Sequence, residues 1–159
     1  MTAPRHSAPF NYETFQKTAP SAVAALAALG KAIDDSGLEK ELTELVKLRV
    51  SQINGCAFCT QLHLNVARKI GVAASKLDLL AVWRDAGLFS VRERAALAWA
   101  EYLARMDAKP IPQDAYAELC TVFSDAETTH LTVAIGQISA WNRIAGALRF
   151  APPVPKGGS

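Results

Sequence analysis

Two short signals, Ser90-x-x-Glu93 and Ser124-x-x-Glu127, constrain the second half of this chain more than anything else in it. Each sets a hydroxyl three residues before a carboxylate, so the pair can close over the first turn of a helix and satisfy N–H groups left unpaired there. Apolar-periodic runs follow both, and no segment alternates apolar and polar residues as a half-buried strand does. Upstream, Pro20 and Ser21 open an Ala/Leu-rich helix stopped by Gly37. Leu38 to Ile53 is a second helix with Leu42, Leu45, Val46, Leu48 and Ile53 at helical spacing. Asn54-Gly55 breaks it, and a third helix runs from near Cys56 to Gly71. Ala74 to Trp83 reads as a short fourth helix, Ser90 starts a long fifth ending near Asp107, Gln113 to Phe123 is a sixth, and the last extends from Ser124 towards Phe150. The expected fold is all-α, a single-domain bundle of about seven helices over residues 18–150.

The two ends read differently. Residues 1–17 mix Pro4, Pro9, Phe10, Tyr12 and Phe15 without periodicity, which predicts an extended N-terminal arm packed on the body or on a neighbour. Residues 151–159, rich in Pro, Gly and Lys, are expected to form a disordered tail.

The 159 residues suit one domain, and half of them are hydrophobic. A formal net charge of only +2, with basic and acidic residues interleaved, gives no nucleic-acid footprint. No apolar run approaches the ~20 residues that cross a bilayer, and no charged-then-apolar leader opens the chain. A cytoplasmic protein with neither nucleic-acid nor membrane partners is expected. The three cysteines are an odd count, which argues against a stapled secreted scaffold. Cys120, alone in a predicted amphipathic helix, reads as a small buried hydrophobe.

Cys56 and Cys59 form a C-x-x-C pair, and His63 follows one helical turn after the second thiol. At ~100° per residue the three lie within about 60° of one another on one stripe. Two thiols and a titratable base on one stripe is the minimum apparatus for thiolate redox chemistry. Positions three apart on a helix also lie within the ~4.4–6.8 Å that a disulfide tolerates between Cα atoms. Lowering a thiol pKa by about two units needs ~2.7 kcal/mol. A helix N-terminus supplies ~0.3–1 kcal/mol when exposed and up to ~2 when partly buried. His63 is therefore expected to be the second contributor. Cys59, deeper and next to the base, is the expected peroxidatic thiol. Cys56, nearer the exposed helix end, is the expected resolving thiol and the sulfur a reductant reaches. Glu44, on the preceding helix, can orient the His63 ring if the Asn54-Gly55 turn folds that helix back.

The pattern Glu44-x11-Cys56-x2-Cys59-x3-His63, inside Glu-Leu-x-Lys-Leu-Arg-Val-Ser-Gln-Ile-Asn-Gly-Cys-Ala-Phe-Cys, resembles the alkylhydroperoxidase AhpD core of the carboxymuconolactone decarboxylase-like superfamily. The resemblance is strong from Leu38 to Gly71 and looser through Trp83-Arg84, Arg92 to Trp99 and Trp141-Asn142-Arg143. It implies an all-helical, homo-oligomeric protein, trimeric or hexameric, that reduces small-molecule organic hydroperoxides with no cofactor and an unspecified thiol or dithiol reductant. By resemblance Cys59 is peroxidatic, Cys56 resolves, and Glu44 and His63 form a proton relay. One position departs: the best-known AhpD enzymes carry a histidine just before the second cysteine, where this chain has Phe58.

Other readings compete. C-x2-C-x3-H offers three soft metal ligands with Glu44 or His130 as a fourth, but structural zinc draws on two separated knuckles and no second one exists, so no metal is expected. A disulfide reductase or redox-sensing dithiol protein would use the same thiols without a peroxide. A carboxymuconolactone decarboxylase-like activity would not need the cysteines. His130 reads as a surface or interface residue and His6 receives no role. Arg49, Gln52 and Arg143 are expected to be polar partners between helices or subunits, and Trp83, Trp99 and Trp141 to be core or interface anchors.

Overall fold

A computed structural model describes residues 10–106 and 109–156. The chain is all-helical: α1 (Tyr12–Thr18), α2 (Pro20–Asp34), α3 (Lys40–Ile53), α4 (Ala57–Lys69), α5 (Ala74–Leu79), a 3-10 turn (Leu80–Val82), α6 (Trp83–Ala86), α7 (Val91–Ala104), α8 (Ala115–Cys120) and α9 (Asp125–Ala147). Both capping boxes form: Ser90 Oγ and Ser124 Oγ accept the backbone N–H three residues on, and Glu93 and Glu127 accept the cap N–H at 2.8 Å. Among the described residues no helix is long and apolar enough to cross a membrane.

The central helix is α3, which packs on α4, α7 and α9. Its apolar residues divide between two cores. Leu42, Val46 and Val50, spaced by four, face a core shared with Cys56, Cys59, Leu131, Ile135 and Ile138. Leu45 and Leu48 face a second core with Ala67, Leu77, Leu80, Trp83 and Leu97. A helix enclosed on several sides should be apolar all round, yet α3 also buries Glu44 and Lys47. Burying charge costs several kcal/mol per ion unless it is paired, so those two residues mark the end of α3 where something other than packing is built.

At the other end of α3 the chain reverses. Gly55 takes φ +66°, a left-handed conformation that a side chain disfavours, and the Cys56 N–H donates to Ser51 O at 3.0 Å. This turn lays α4 back along α3.

The seven predicted helices are all present, with three differences at their edges. The fourth is broken into α5, the 3-10 turn and α6, ending at Gly87 with φ +65°. The sixth is confined to Ala115–Cys120, and the fifth has its last helical residue at Ala104. Asp107, the expected end of the fifth, lies outside the described residues.

The expected extended arm is corrected in its second half. Residues Tyr12–Thr18 are helical because Asn11 Oδ1 caps the Thr14 N–H at 2.7 Å and Phe15 is buried in the first core. The earlier part of the arm, including His6, lies outside the described residues. Residues 151–156 of the expected tail have no regular structure; Pro153 O accepts from Asn65 Nδ2 at 2.9 Å, and Pro152 to Val154 lie beside α4. Residues 157–159 lie outside the described residues.

Candidate active site

Cys56 is the N-cap of α4, and its Sγ accepts the Cys59 backbone N–H at 3.2 Å. The two sulfurs lie 2.6 Å apart, inside their van der Waals contact and short of a covalent bond. A disulfide at ~2.05 Å requires them to approach by only about half an ångström. Sequence spacing placed Cys56 at an exposed helix end. Instead both thiols are buried, Cys56 at 3% and Cys59 at 2% exposure, because both side chains pack into the first core.

Glu44 is the third member. Its side chain is 2% exposed, and Oε2 lies 2.6 Å from His63 Nδ1. Oε1 receives Lys47 Nζ at 3.2 Å and Lys40 Nζ at 3.1 Å. Burial alone would raise the Glu44 pKa, but the His63 hydrogen bond and the charges of His63, Lys47 and Lys40 outweigh it and bring it down to about 2. The carboxylate is therefore ionised at neutral pH, and the His63 proton facing it sits on Nδ1. That fixes the tautomer and leaves Nε2 as the basic nitrogen. The folding-back of α3 that this contact needs is supplied by the Asn54-Gly55 turn.

The expected lowering of the Cys59 pKa does not appear in the reduced pair. Burial, and then the hydrogen bond with the Cys56 sulfur, push the Cys59 thiol up to about 12, with Asn142 acting in the opposite sense. Two sulfurs this close cannot both carry charge in a low-dielectric setting. Asn142 is a residue the sequence reading did not assign. Its Oδ1 accepts from Asn54 Nδ2 at 2.9 Å, which aims Nδ2 at Ser51 Oγ, 3.1 Å away, and at the Cys59 sulfur. The signal available was an amide in the apolar stripe of α9, which buries two, Gln137 and Asn142.

Cys59 and His63 open on one cavity of about 530 Å³. Its walls come from Tyr12 of α1, Leu26 and Gly30 of α2, Phe58 and Leu62 of α4, Trp141 of α9, and Pro153 of the tail. Cys56 faces a different, more open depression lined by Gln52, Thr60, Gln61, Pro152 and Val154. The tail runs between the two, Pro153 turned to the first and its neighbours to the second. Phe58 packs its ring 5.3 Å from Phe150 and 6.1 Å from Tyr12, centroid to centroid.

The remaining assignments fall out simply. His130 is half-buried, with Nδ1 2.8 Å from Ala126 O. Arg49 pairs with Glu101 between helices, as a polar helix partner does. Trp83 and Trp99 are buried, whereas Trp141 is half-buried in the cavity wall rather than in the core. Among the described residues no three His, Cys, Asp or Glu side chains are grouped to hold a metal ion.

The sequence model of the carboxymuconolactone decarboxylase family matches residues 20–102, more than half the chain. The chain belongs to that family. Within it the architecture is AhpD-like. A protein of unknown function from Agrobacterium tumefaciens, assigned provisionally to antioxidant defence as an AhpD protein, superposes with a TM-score of 0.84 at 40% identity, over 88% of this chain and 96% of that one. The uncharacterized protein YdfG of Bacillus subtilis (strain 168) is 31% identical over 135 residues, covering 85% of this chain and 92% of YdfG. The uncharacterized protein YnjA of Escherichia coli (strain K12) is 36% identical over 103 residues, 64% of this chain and 55% of YnjA. The debrominase Bmp8 shares the fold, with a TM-score of 0.79 at 21% identity over 87% of this chain and 75% of that one.

Proposed function

We propose that this AhpD-like chain is a thiol peroxidase that reduces organic hydroperoxides at Cys59 and closes a Cys56–Cys59 disulfide in each cycle. The observation that carries the reading is the Glu44–His63 contact of 2.6 Å beside a dithiol whose sulfurs are 2.6 Å apart. His63 Nε2, made basic by Glu44, takes the Cys59 proton as the substrate enters. The Cys59 thiolate attacks the distal peroxide oxygen and the O–O bond breaks. The alkoxide leaves as the alcohol with the proton from His63, and Cys59 becomes a sulfenic acid. Cys56 sulfur then attacks Cys59 sulfur, its proton leaves with the hydroxyl as water, and the disulfide forms. A thiol or dithiol reductant returns two electrons and two protons, attacking at Cys56 from its own depression. Asn142 Nδ2 steadies the Cys59 thiolate while it exists.

Two competing readings are weaker on physical grounds. Disulfide exchange alone would give no use to the Glu44–His63 contact or to the cavity on which Cys59 and His63 open. A cysteine-independent decarboxylase would leave unexplained a dithiol and an oriented base opening on one cavity. As in the relatives by resemblance, the working unit is a homo-oligomer, a trimer or hexamer, in a reducing cytoplasm. Exposed Val82, Leu88 and Val91, close together in the chain, support an apolar face for a second copy.

The deciding experiment follows free thiol and hydroperoxide together. Wild type loses two thiols per hydroperoxide, Cys59→Ser loses none, and Cys56→Ser stops at a sulfenic acid captured by dimedone as a single adduct. Turnover that survives Cys59→Ser sinks the assignment.

A further inference from the structure

We infer that the cavity above Cys59 is a built subsite for an uncharged hydroperoxide bearing an aryl or comparably bulky apolar group, selected by the rings of Tyr12, Phe58 and Trp141. This rests on the peroxidase reading for the chemistry but not for the binding. Three observations carry it. The first is size: about 530 Å³ lies within the ~300–1,000 Å³ of pockets for drug-sized ligands. Hydrogen peroxide would leave nearly all of that volume unused.

The second is the wall. The Tyr12 ring centroid lies 6.1 Å from that of Phe58 and 6.2 Å from that of Trp141, so three rings from three separate helices converge on one side of the cavity. Aromatic surfaces at such distances favour another ring in offset or edge contact. Phe58 belongs to this wall, which gives the residue between the two cysteines a place in substrate selection rather than proton transfer.

The third is charge. Besides His63, the charged side chains at the cavity are Asp34 and Lys47, and each is answered in place: Asp34 by Lys40 at 2.6 Å, Lys47 by Glu44 at 3.2 Å. A carboxylate on the substrate would find no cation to spare. A cationic substrate would find no spare anion.

Binding and turnover separate the inference from the reading beneath it. Calorimetry with 2-phenylpropan-2-ol, the unreactive product alcohol of cumene hydroperoxide, should give at least about tenfold tighter binding than tert-butanol. Its para-carboxylate should bind at least about tenfold more weakly than the parent alcohol. In turnover, the ratio of kcat/KM for cumene over tert-butyl hydroperoxide should fall about tenfold in Tyr12→Ala. Tyr12 sits at the exposed edge of the wall, so that variant spares the core. Leu62→Trp, which fills the cavity from a half-exposed position, should lower the same ratio further. Equal affinity for the two alcohols, equal affinity for the carboxylate, or an unmoved ratio in both variants overturns the subsite. Alcohol binding as described with no turnover of any hydroperoxide upholds the subsite and removes the peroxidase reading instead.

Discussion

Glu44 and Glu101 are both buried carboxylates, on α3 and α7, and the pKa of each is lowered against burial that would raise it. Their partners differ. Glu101 meets Arg49 Nε at 2.8 Å, Trp83 Nε1 at 3.0 Å and the Arg84 guanidinium, and Arg84 in turn lies 4.2 Å from the Trp83 ring centroid. None of those groups exchanges a proton near neutrality. Glu44 meets two lysines and an imidazole beside a cavity. Burial of an acid is thus no mark of function by itself. What separates a clasp from the relay proposed for Glu44 is whether one partner can exchange a proton and faces a place where substrate fits.

The difference breaks most visibly at Glu101. Removing one member of a buried ion pair leaves the other uncompensated, at a cost of about 3–5 kcal/mol. Glu101→Ala should lower the melting midpoint by roughly 6–20 °C for a domain of this size. Peroxidase activity per folded molecule should stay within about twofold, because Glu101 touches neither sulfur nor His63. A large loss of activity in the folded fraction would mean the two carboxylates are coupled through α3.

Acid titration sharpens the same contrast. The folded pKa of Glu44 is about 2, below its unfolded value near 4.5, so its contribution is fully present above about pH 4.5 and disappears as pH falls towards 2. The linked stability is on the order of 3 kcal/mol. Denaturant unfolding of wild type should therefore weaken over that window more steeply than that of Glu44→Gln, which cannot titrate there. Other acids cancel in the difference between the two proteins. Parallel curves would mean that His63 and Lys47 do not hold an ionised Glu44.

At neutral pH, Glu44→Gln retains an acceptor for the His63 Nδ1 proton but removes the negative charge facing the ring. Losing such a supporting group costs about 10–100-fold. We expect kcat/KM for hydroperoxide to drop by about that factor. A rate within about twofold of wild type would reduce Glu44 to a packing residue.

How far the sequence could be read follows the same division between local and distant causes. The capping boxes at Ser90 and Ser124 act within three residues, and both were legible. So was the Glu44, Cys56, Cys59, His63 spacing, because one turn at Asn54-Gly55 decides whether those residues meet. The short helix α1 was hidden. Its propensity is weak, and the buried face of Phe15 that stabilises it is supplied by α9 and Phe150, far away in the chain. The contact of the tail was hidden for the same reason, since a Pro- and Gly-rich composition says nothing of an acceptor at Pro153 for Asn65. The exposure of Cys56 was misjudged because the first core that covers it is supplied largely by α9, far away in the chain.

Asn142 is the distant case with a functional consequence, and the smallest effect expected here. Its amide is oriented by Asn54 and Ser51, leaving one donor to favour the charged form of Cys59 against burial. Removing that donor raises an already raised thiol pKa. Asn142→Ala should therefore slow hydroperoxide-driven oxidation of Cys59 by about tenfold, the worth of one hydrogen bond to a charged group. Alkylation of Cys59 by iodoacetamide should need correspondingly higher pH. The variant also loosens packing around Ser51, whose hydroxyl keeps its bond to Lys47 O. The alkylation profile distinguishes the two effects, because looser packing alone would expose the thiol and speed its modification. Faster alkylation at unchanged pH dependence would show Asn142 to be structural, and slower alkylation displaced to higher pH would place it with Glu44 rather than with Glu101.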